Sequence, residues 1–256
     1  MNMALTDIYT DHKERIDTAV VLLAAIILIG IFHNFVVIWA TLGVIYLVAF
    51  REANALFGVD KDSNIYFAGA LWVAAAFYPK ADDLFLIAAL VIAAIYAYDP
   101  KHELNKVLGF FYPTAGMLFM LTLYADYGIY SIFWMIMIVA GADIGAYVVG
   151  KSIGKTKFSP TSPNKTLEGV VGGIAIGTLF GLFVGSPEVG FWSALVISAA
   201  VAAISVFGDL FESFLKRQAD VKDSGNFLPG HGGALDRIDG FLFGAIIMVV
   251  LLRGLA

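Results

Sequence analysis

The sequence predicts an all-α, polytopic integral membrane protein with about nine transmembrane helices and a cytoplasmic N-terminus. Of its 256 residues, 60% are hydrophobic and only 14% are charged. The hydrophobic residues form runs close to the length of about 20 residues that a helix needs to cross a bilayer. The chain has no cysteine, which excludes disulfides, thiolate metal sites and cysteine nucleophiles.

Nine apolar runs are candidate transmembrane helices. In chain order they are Asp17–Phe32, Phe35–Phe50, Asn64–Tyr78, Asp83–Tyr98, Val107–Tyr124, Ile129–Gly150, Gly169–Ser186, Gly190–Gly208 and Gly240–Leu252. Several are shorter than a full span, so we expect their helices to include flanking residues. The stretch before the first run is rich in acidic residues, unlike the basic start of a signal peptide, and therefore predicts a retained helix.

The positions of the basic residues predict the orientation. With a cytoplasmic N-terminus and nine alternating helices, 14 of the 16 Lys and Arg residues fall on the cytoplasmic side. Only Lys80 and Arg253 fall outside. Positive residues accumulate on the cytoplasmic side of membrane proteins, so this distribution favours both the helix count and the orientation.

The polar residues divide the chain into two parts. Residues 1–124 have short loops and helices of Ala, Leu, Ile, Val and Phe, which predicts a scaffold that can also supply dimer contacts. Residues 125–256 carry two long polar loops, Lys151–Glu168 and Asp209–Asp239, which the nine-helix topology places on the same face. We therefore expect the catalytic or binding half to be the second one.

The first polar loop offers groups that can bind phosphate. Asp143 lies near the end of its helix, and an ionisable residue inside a span is a functional hypothesis by default. Tyr147 and Gly150 share its helix face. The lysines and hydroxyls that follow are Lys151, Ser159, Ser162 and Lys165, among others. The alternative is a positively charged cytoplasmic loop whose Ser and Pro residues only turn the chain.

The second polar loop begins with a helical stripe. Asp209, Glu212, Ser213, Lys216 and Asp220 recur at helical spacing, so the eighth membrane helix is predicted to continue beyond the bilayer as an amphipathic extension. An interfacial helix with a solvated polar face is the alternative interpretation of this stripe.

Glycines and carboxylates follow the stripe. Gly225, Gly230, Gly232 and Gly233 predict irregular backbone that can approach a ligand closely. Asp236 and Asp239 stand three positions apart at the start of the last helix and point the same way. Carboxylates are the usual protein ligands of Mg²⁺ that is also held by phosphates. His231 taken alone is more typical of a loop histidine bonded to backbone.

These residues resemble the signature of the phosphatidate cytidylyltransferase, or CDP-diacylglycerol synthase, family. The match runs without a gap over the 27 residues from Ser213 to Asp239. It includes Ser213, Lys216, Arg217, Lys222, Asp223, Gly225, Pro229, His231, Gly232, Gly233, Asp236, Arg237 and Asp239. Upstream, Asp143 to Gly150, the run Ser159–Gly169 and the pair Gly208-Asp209 also look like the family.

The resemblance implies transfer of CMP from CTP to phosphatidate at the cytoplasmic face of a bacterial inner membrane. It implies Mg²⁺, in a two-metal site, with Asp209 and Asp236 as metal ligands. The implied catalytic residues are Asp209, Asp236, Lys216, Arg217, Lys222, Asp223, His231, Arg237 and Asp239. The implied substrate-binding residues are Asp143, Lys151, Ser159, Ser162, Lys165, Ser213, Gly232 and Gly233. CTP, phosphatidate and the bilayer are the expected partners, a homodimer is compatible with the family, and no nucleic acid is expected.

Three other functions remain open at this point. A related CTP-dependent enzyme would act on an archaeol-type or polyprenol lipid. A CDP-alcohol phosphotransferase would need a D-G-x2-A-R-x8-G-x3-D-x3-D pattern, which the residues after Asp236 do not supply. A secondary transporter would hold its polar groups near the membrane midplane, whereas the charges of this chain concentrate at one face.

Overall fold

A computed structural model describes residues 27–32, 34–99, 104–230 and 232–255, with the single residues 17, 20 and 24. Within these ranges the chain is helical and forms no strand, only two isolated β-bridges that join Lys157 to Thr166 and Leu228 to Gly232. The predicted all-α class is therefore confirmed. The first predicted span, Asp17–Phe32, is described only at residues 17, 20, 24 and 27–32.

Seven helices follow that first run. They are α1 (Phe35–Leu56), α2 (Ile65–Ala75), α3 (Asp83–Tyr98), α4 (Leu104–Ile153), α5 (Leu167–Val189), α6 (Phe191–Gln218) and α7 (Leu235–Leu255). Among the described residues, five helices are long and apolar enough to cross a membrane: α1, α5, α6, α7 and the stretch Val107–Ile153 of α4. Length and composition thus agree with an integral membrane protein.

Helix α4 is broken at Gly128. A straight helix of its 50 residues would extend about 75 Å, more than twice the roughly 30 Å of a bilayer core. Gly128 has φ 75° and ψ −175°, a conformation open essentially to glycine alone. The hydroxyl of Ser131 donates to the Gly128 carbonyl at 2.7 Å. The break separates an arm of residues 104–127 (α4a) from an arm of residues 129–153 (α4b), as the fifth and sixth apolar runs predict.

Helix α2 is shorter than the predicted run Asn64–Tyr78. It has 11 residues, about 17 Å, and cannot cross a bilayer core alone. Pro79 follows the run and disfavours helical backbone at Tyr78. The indoles of Trp39 and Trp72 each donate to the other's carbonyl oxygen, at 3.0 and 3.1 Å, and fix α2 against α1.

Helices α4b and α5 pack backbone against backbone. Glycines recur every fourth residue on one face of α5, at Gly169, Gly173, Gly177, Gly181 and Gly185. A Cβ atom at Gly173 would lie 2.6 Å from the Ala142 carbonyl oxygen, and one at Gly177 would lie 2.8 Å from that of Ile138. Small residues allow this close approach between membrane helices. Because Ala142 packs on α5, the neighbouring residue Asp143 lies near the loop that precedes α5.

The predicted outside residues Lys80 and Arg253 lie together. Arg253 donates to both Asp82 oxygens, at 2.6 and 3.0 Å, and Lys80 contacts Asp126 at 2.7 Å. Arg253 is seventeen positions after Asp236 on α7, about 25 Å away along the helix axis. The bundle therefore has an Asp236 end and an Arg253 end, and each has its own charged groups.

Candidate active site

Charged side chains of α4b, α6 and α7 converge on a cavity of about 320 Å³ at the Asp236 end of the bundle. Its charged lining residues are Asp143, Asp209, Glu212, Lys216, Asp223, Asp236, Arg237 and Asp239. Ser205, Val139, Gly240 and Phe241 form the rest of the wall. We call this cavity the charged cavity.

Close packing of α6 on α7 brings the carboxylates together. A Cβ atom at Gly208 would lie 3.1 Å from Cα of Gly240, so the two backbones touch at this level. Asp209 follows Gly208 and Asp239 precedes Gly240. The two carboxylates therefore lie beside the point where α6 and α7 touch, and both line the charged cavity. Asp239 itself accepts the N–H of Gly240 at 2.7 Å.

Asp236 is the most heavily hydrogen-bonded carboxylate of the charged cavity. One oxygen, Oδ1, accepts from the Lys216 ammonium at 2.6 Å. The other, Oδ2, accepts from Ser224 N at 2.9 Å, from Ser224 Oγ at 3.0 Å and from Gly233 N at 2.7 Å. Asp236 thus joins α6, the loop before α7 and α7 itself.

Lys216 connects Asp236 to a second carboxylate. Its ammonium lies 2.6 Å from Glu212 Oε2, one helical turn earlier on α6. The Glu212 side chain is 1% exposed, and its Oε1 atom is buried without a hydrogen-bond partner in the described residues. Burying a carboxylate is costly unless an opposite charge lies beside it. The Lys216 ammonium is that charge for both Glu212 and Asp236.

Lys165 joins the two polar loops. It forms an ion pair with Asp209, and Asp209 also accepts from the Ser213 hydroxyl at 3.4 Å. The loop before α5 therefore contacts the polar stripe of α6, as expected for two loops on one face. The stripe itself is helical through Lys216 and ends before Asp220, because α6 stops at Gln218.

A second cavity of about 470 Å³ adjoins the charged one. Asp143 and Asp209 line both cavities, so the two form a continuous depression. The second cavity is lined by Ala142, Ala146, Val170 and Val206 on its apolar walls and by Tyr147, Lys151, Asn164, Lys165 and Thr166 on its polar ones. We call it the mixed cavity, since apolar walls lie beside two lysines.

The sequence pattern of the cytidylyltransferase family matches residues 13–255. The chain belongs to the cytidylyltransferase family. The phosphatidate cytidylyltransferases of two Helicobacter pylori strains are 44% and 45% identical to it over 244 residues, which cover 94% of this chain and 92% of the relative. The phosphatidate cytidylyltransferase of Thermotoga maritima is 32% identical over 263 residues, which cover 95% of this chain and 97% of that relative.

The match to the Bacillus subtilis phosphatidate cytidylyltransferase is 50% identical over 123 residues, 46% of this chain and 45% of that relative. The resemblance stated from the sequence is thus confirmed at the level of the family. It also follows that the chain is a nucleotidyltransferase, and the cavities at its Asp236 end are the natural candidates for the active site of this cytidylyltransferase.

Several predicted site residues do not form part of either cavity wall. Of the described residues, Arg217, Lys222, Ser159, Ser162 and Ser213 do not line either one. The Ser159 hydroxyl instead accepts the N–H of Thr161 at 3.2 Å, within its own turn. The Ser162 carbonyl accepts the N–H of Lys165 at 3.0 Å. These two serines shape the loop that presents Lys165.

The glycine-rich segment contacts Asp236 and its own backbone. Gly233 is one of the substrate-binding residues that the family resemblance implies, and in this structure its N–H donates to Asp236. Gly232 has φ 85°, and its carbonyl accepts the N–H of Leu228 at 2.9 Å. The segment therefore orients Asp236 in this structure. The predicted role of His231 lies outside the described residues.

Sequence reasoning missed Glu52. This carboxylate belongs to α1, in the part of the chain predicted to be a scaffold, and is 9% exposed. It accepts hydrogen bonds from Ala234 N at 3.1 Å and Leu235 N at 2.8 Å, at the start of α7. Its one sequence signal is a carboxylate two positions after the apolar run Phe35–Phe50, which also suits an ordinary helix end.

The donor set of the charged cavity fits Mg²⁺. Among the described residues, no three carboxylate or imidazole side chains stand close enough to hold one ion by themselves. Mg²⁺, however, usually takes one or two carboxylates and completes its shell with water and substrate phosphates. Asp143, Asp209, Asp236 and Asp239 supply such oxygens around one cavity.

Proposed function

We propose that this cytidylyltransferase transfers CMP from CTP to phosphatidate, giving CDP-diacylglycerol and pyrophosphate. The observation that carries the proposal is the charged cavity at one end of an apolar helix bundle. A lipid phosphate and a nucleoside triphosphate can meet there while the acyl chains stay in the bilayer. The relatives named phosphatidate cytidylyltransferase support the same pair of substrates.

In the proposed reaction, a phosphate oxygen of phosphatidate attacks the α-phosphorus of CTP. The new P–O bond forms as the bond to the bridging oxygen of the β-phosphate breaks, and pyrophosphate leaves with that electron pair. Since the second pKa of a phosphate monoester is about 6, the nucleophile is already ionised near neutral pH. The chain therefore needs to position the substrates and neutralise their charge, which suits Lys165, Lys216 and Arg237.

We assign Asp209 and Asp236 as the residues that would hold Mg²⁺, with Asp143 and Asp239 beside them. A divalent cation there would neutralise phosphate charge that the lysines alone leave unbalanced. Asp209 now pairs with Lys165 and Asp236 with Lys216. Each carboxylate thus already pairs with an ammonium group, so each stands where it can attract positive charge.

Purified protein with CTP, phosphatidate and Mg²⁺ tests the activity. We expect pyrophosphate release together with CDP-diacylglycerol, and loss of both when EDTA is added. Product formed only with archaeol-type or polyprenol acceptors would replace phosphatidate as the substrate. Solute flux in proteoliposomes without CTP, and no lipid product with any acceptor, would favour the transporter.

The finer topology belongs to the same proposal. We place nine membrane segments in a bacterial inner membrane, with the N-terminus and the charged cavity at the cytoplasmic face, where CTP is available. The short helix α2 would cross together with its flanking residues. The pairing of Lys80 and Arg253 with acidic residues at the Arg253 end supports this arrangement. Lys151, Lys165, Lys216 and Arg237 line the cavities at the Asp236 end, which is the side expected to face the cytoplasm.

Single cysteines test the orientation, because the chain has none of its own. Asn226 is exposed before α7, and Glu188 is exposed at the end of α5. In spheroplasts, a membrane-impermeant maleimide should label E188C at once and N226C only after permeabilisation. The reverse order would contradict the orientation, and equal labelling before permeabilisation would contradict a sealed two-face topology.

The homodimer also stays a proposal that the family resemblance suggests. Light scattering of the purified protein in detergent should then give twice the 27.6 kDa mass of one chain, after the detergent is subtracted. A mass of one chain at all protein concentrations would contradict it.

A further inference from the structure

Glu52 is an unusual residue for its position. It lies near the end of the apolar helix α1, beside the fully buried residues Ala49, Phe50 and Ala53, and it is only 9% exposed itself. Burying a carboxylate costs free energy unless the group is hydrogen-bonded or paired with a charge. Glu52 touches neither cavity, so a substrate does not explain its burial.

The partners of Glu52 lie at the start of α7. Oε1 accepts the N–H of Ala234 at 3.1 Å, and Oε2 accepts the N–H of Leu235 at 2.8 Å. These N–H groups have no carbonyl partner within their own helix, and the helix dipole favours a negative charge beside them. Glu52 therefore caps α7 from a helix about 180 positions earlier in the chain.

Ser224 extends the contact to the charged cavity. Its hydroxyl lies 3.3 Å from Glu52 Oε2 and 3.0 Å from Asp236 Oδ2, so its single proton can go to either carboxylate. Its backbone N–H donates to Asp236 at 2.9 Å. The position of Ser224 between the two carboxylates therefore depends on both of them.

The loop before α7 wraps tightly around Glu52. A Cβ atom at Gly233 would lie 2.6 Å from Glu52 Oε2, and one at Gly225 would lie 2.8 Å from its Cδ atom. A side chain at either position would have to displace the Glu52 carboxylate. Because Gly233 N also donates to Asp236 at 2.7 Å, the glycine is held by Glu52 on one side and orients Asp236 on the other.

We propose that Glu52 is a positioning residue for CMP transfer, which acts through Ser224 and the first turn of α7 to set the orientation of Asp236 and, through it, of Lys216. The inference rests on the function proposed above. It assigns a role in the reaction to the part of the chain predicted to be a scaffold. Glu52 meets no reacting atom, so its effect must pass through the groups that do.

The substitution Glu52→Gln tests this role. The amide keeps the size of the side chain but turns one oxygen that accepts N–H groups into a donor. We expect kcat to fall about 10- to 100-fold, since small displacements of reacting groups cost rates of this order. The KM for phosphatidate should stay near the wild-type value, because Glu52 does not line a cavity.

Asp82→Asn is the matched control. Asp82 is also buried and also ties the first half of the chain to α7, but at the Arg253 end. It should lower the thermal unfolding midpoint without changing kcat of the folded protein. If Glu52→Gln behaves in the same way, with normal kcat and only lower stability, the positioning role is overturned.

Ser224→Ala keeps the test decisive if Glu52→Gln does not fold. It should lower kcat in the same direction, and the double variant should lose less than the product of the two single effects. Independent effects that multiply would contradict action through Ser224. A wild-type protein that forms no CDP-diacylglycerol would instead overturn the proposed function, and this inference with it.

Discussion

Asp236 accepts hydrogen bonds from two backbone N–H groups, one hydroxyl and one ammonium. A carboxylate can take all four, whereas the amide of Asp236→Asn must aim a donor either at Lys216 or at the loop. We expect CMP transfer to fall by ~100-fold or more, because the charge opposite the substrate phosphates changes. The assay is CDP-diacylglycerol formation, with helix content by circular dichroism as the measure of folding.

Asp62→Asn is a suitable control for that variant. Asp62 pairs with Arg51 at 2.8 Å on the surface, where both side chains are about half exposed. Exposed ion pairs contribute roughly 0–1 kcal/mol, so activity and folding should both stay normal. Normal turnover by a folded Asp236→Asn protein would contradict the assignment of Asp236 to the metal and phosphate chemistry.

Lys165 belongs to the boundary between the two cavities. Its ammonium pairs with Asp209, and it lines the mixed cavity near Lys151. Lys165→Met keeps most of the stem and removes the charge, so kcat/KM should fall roughly 10- to 100-fold if the ammonium meets a substrate phosphate. Lys155→Met, in the same loop but on the exposed side, should leave kcat/KM unchanged. Equal effects of the two substitutions would indicate only a general role of positive charge.

At the scale of the helices, the α4b–α5 contact depends on glycine. Gly177→Ala would place a methyl group 2.8 Å from the Ile138 carbonyl oxygen, and that backbone cannot easily move. Overpacking of this kind costs about 1–3 kcal/mol, so the thermal midpoint in detergent should fall. Gly69→Ala on α2 is the control, since nothing lies within 4 Å of the new methyl group. A Gly177→Ala protein as stable as Gly69→Ala would contradict direct backbone packing.

Helix patterns in the sequence predicted some elements better than others. The continuation of α6 beyond Gly208 was predicted correctly, because one polar stripe persists at helical spacing up to Lys216. The separation of α4a from α4b was also predicted, since Gly128 lies between two apolar runs. The extent of α2 was wrong by a few residues, because an apolar run has no periodicity that marks where its helix stops.

At the scale of the whole molecule, local sequence patterns predict only part of the candidate site. Asp143, Asp209, Asp236 and Asp239 do meet around one cavity, as polar groups gathered at one face of an apolar bundle should. Arg217 and Lys222 belong to the same signature but line neither cavity. Spacing along a loop does not determine where each side chain points. Glu52 could not be predicted, because its partners are about 180 positions away.

Two buried carboxylates join the first half of the chain to the two ends of α7. Glu52 does so at the Asp236 end, and Asp82 at the Arg253 end. Asp82 also exchanges hydrogen bonds with Thr122 of α4a, at 3.0 and 3.1 Å. Ionisable groups thus connect the first half of the chain to both ends of α7, and the stability of the protein should depend on the charge of these groups.

The charge of Asp82 makes the Arg253 end sensitive to acid. Burial alone would raise the pKa of Asp82, but hydrogen bonds from Arg253 and Thr122 and the Arg253 charge hold it below its ordinary value of 3.8. A lowered pKa means that the stabilisation is complete above 3.8 and is lost as the pH falls through the folded-state value. Near neutral pH, the free energy of unfolding of Asp82→Asn should therefore be about 1.5–3 kcal/mol lower than that of wild type. The difference should shrink in acid. Thermal unfolding midpoints of both proteins, measured from neutral pH down into acid, follow this difference. A difference that stays constant or grows in acid would rule out Asp82 as the titrating group.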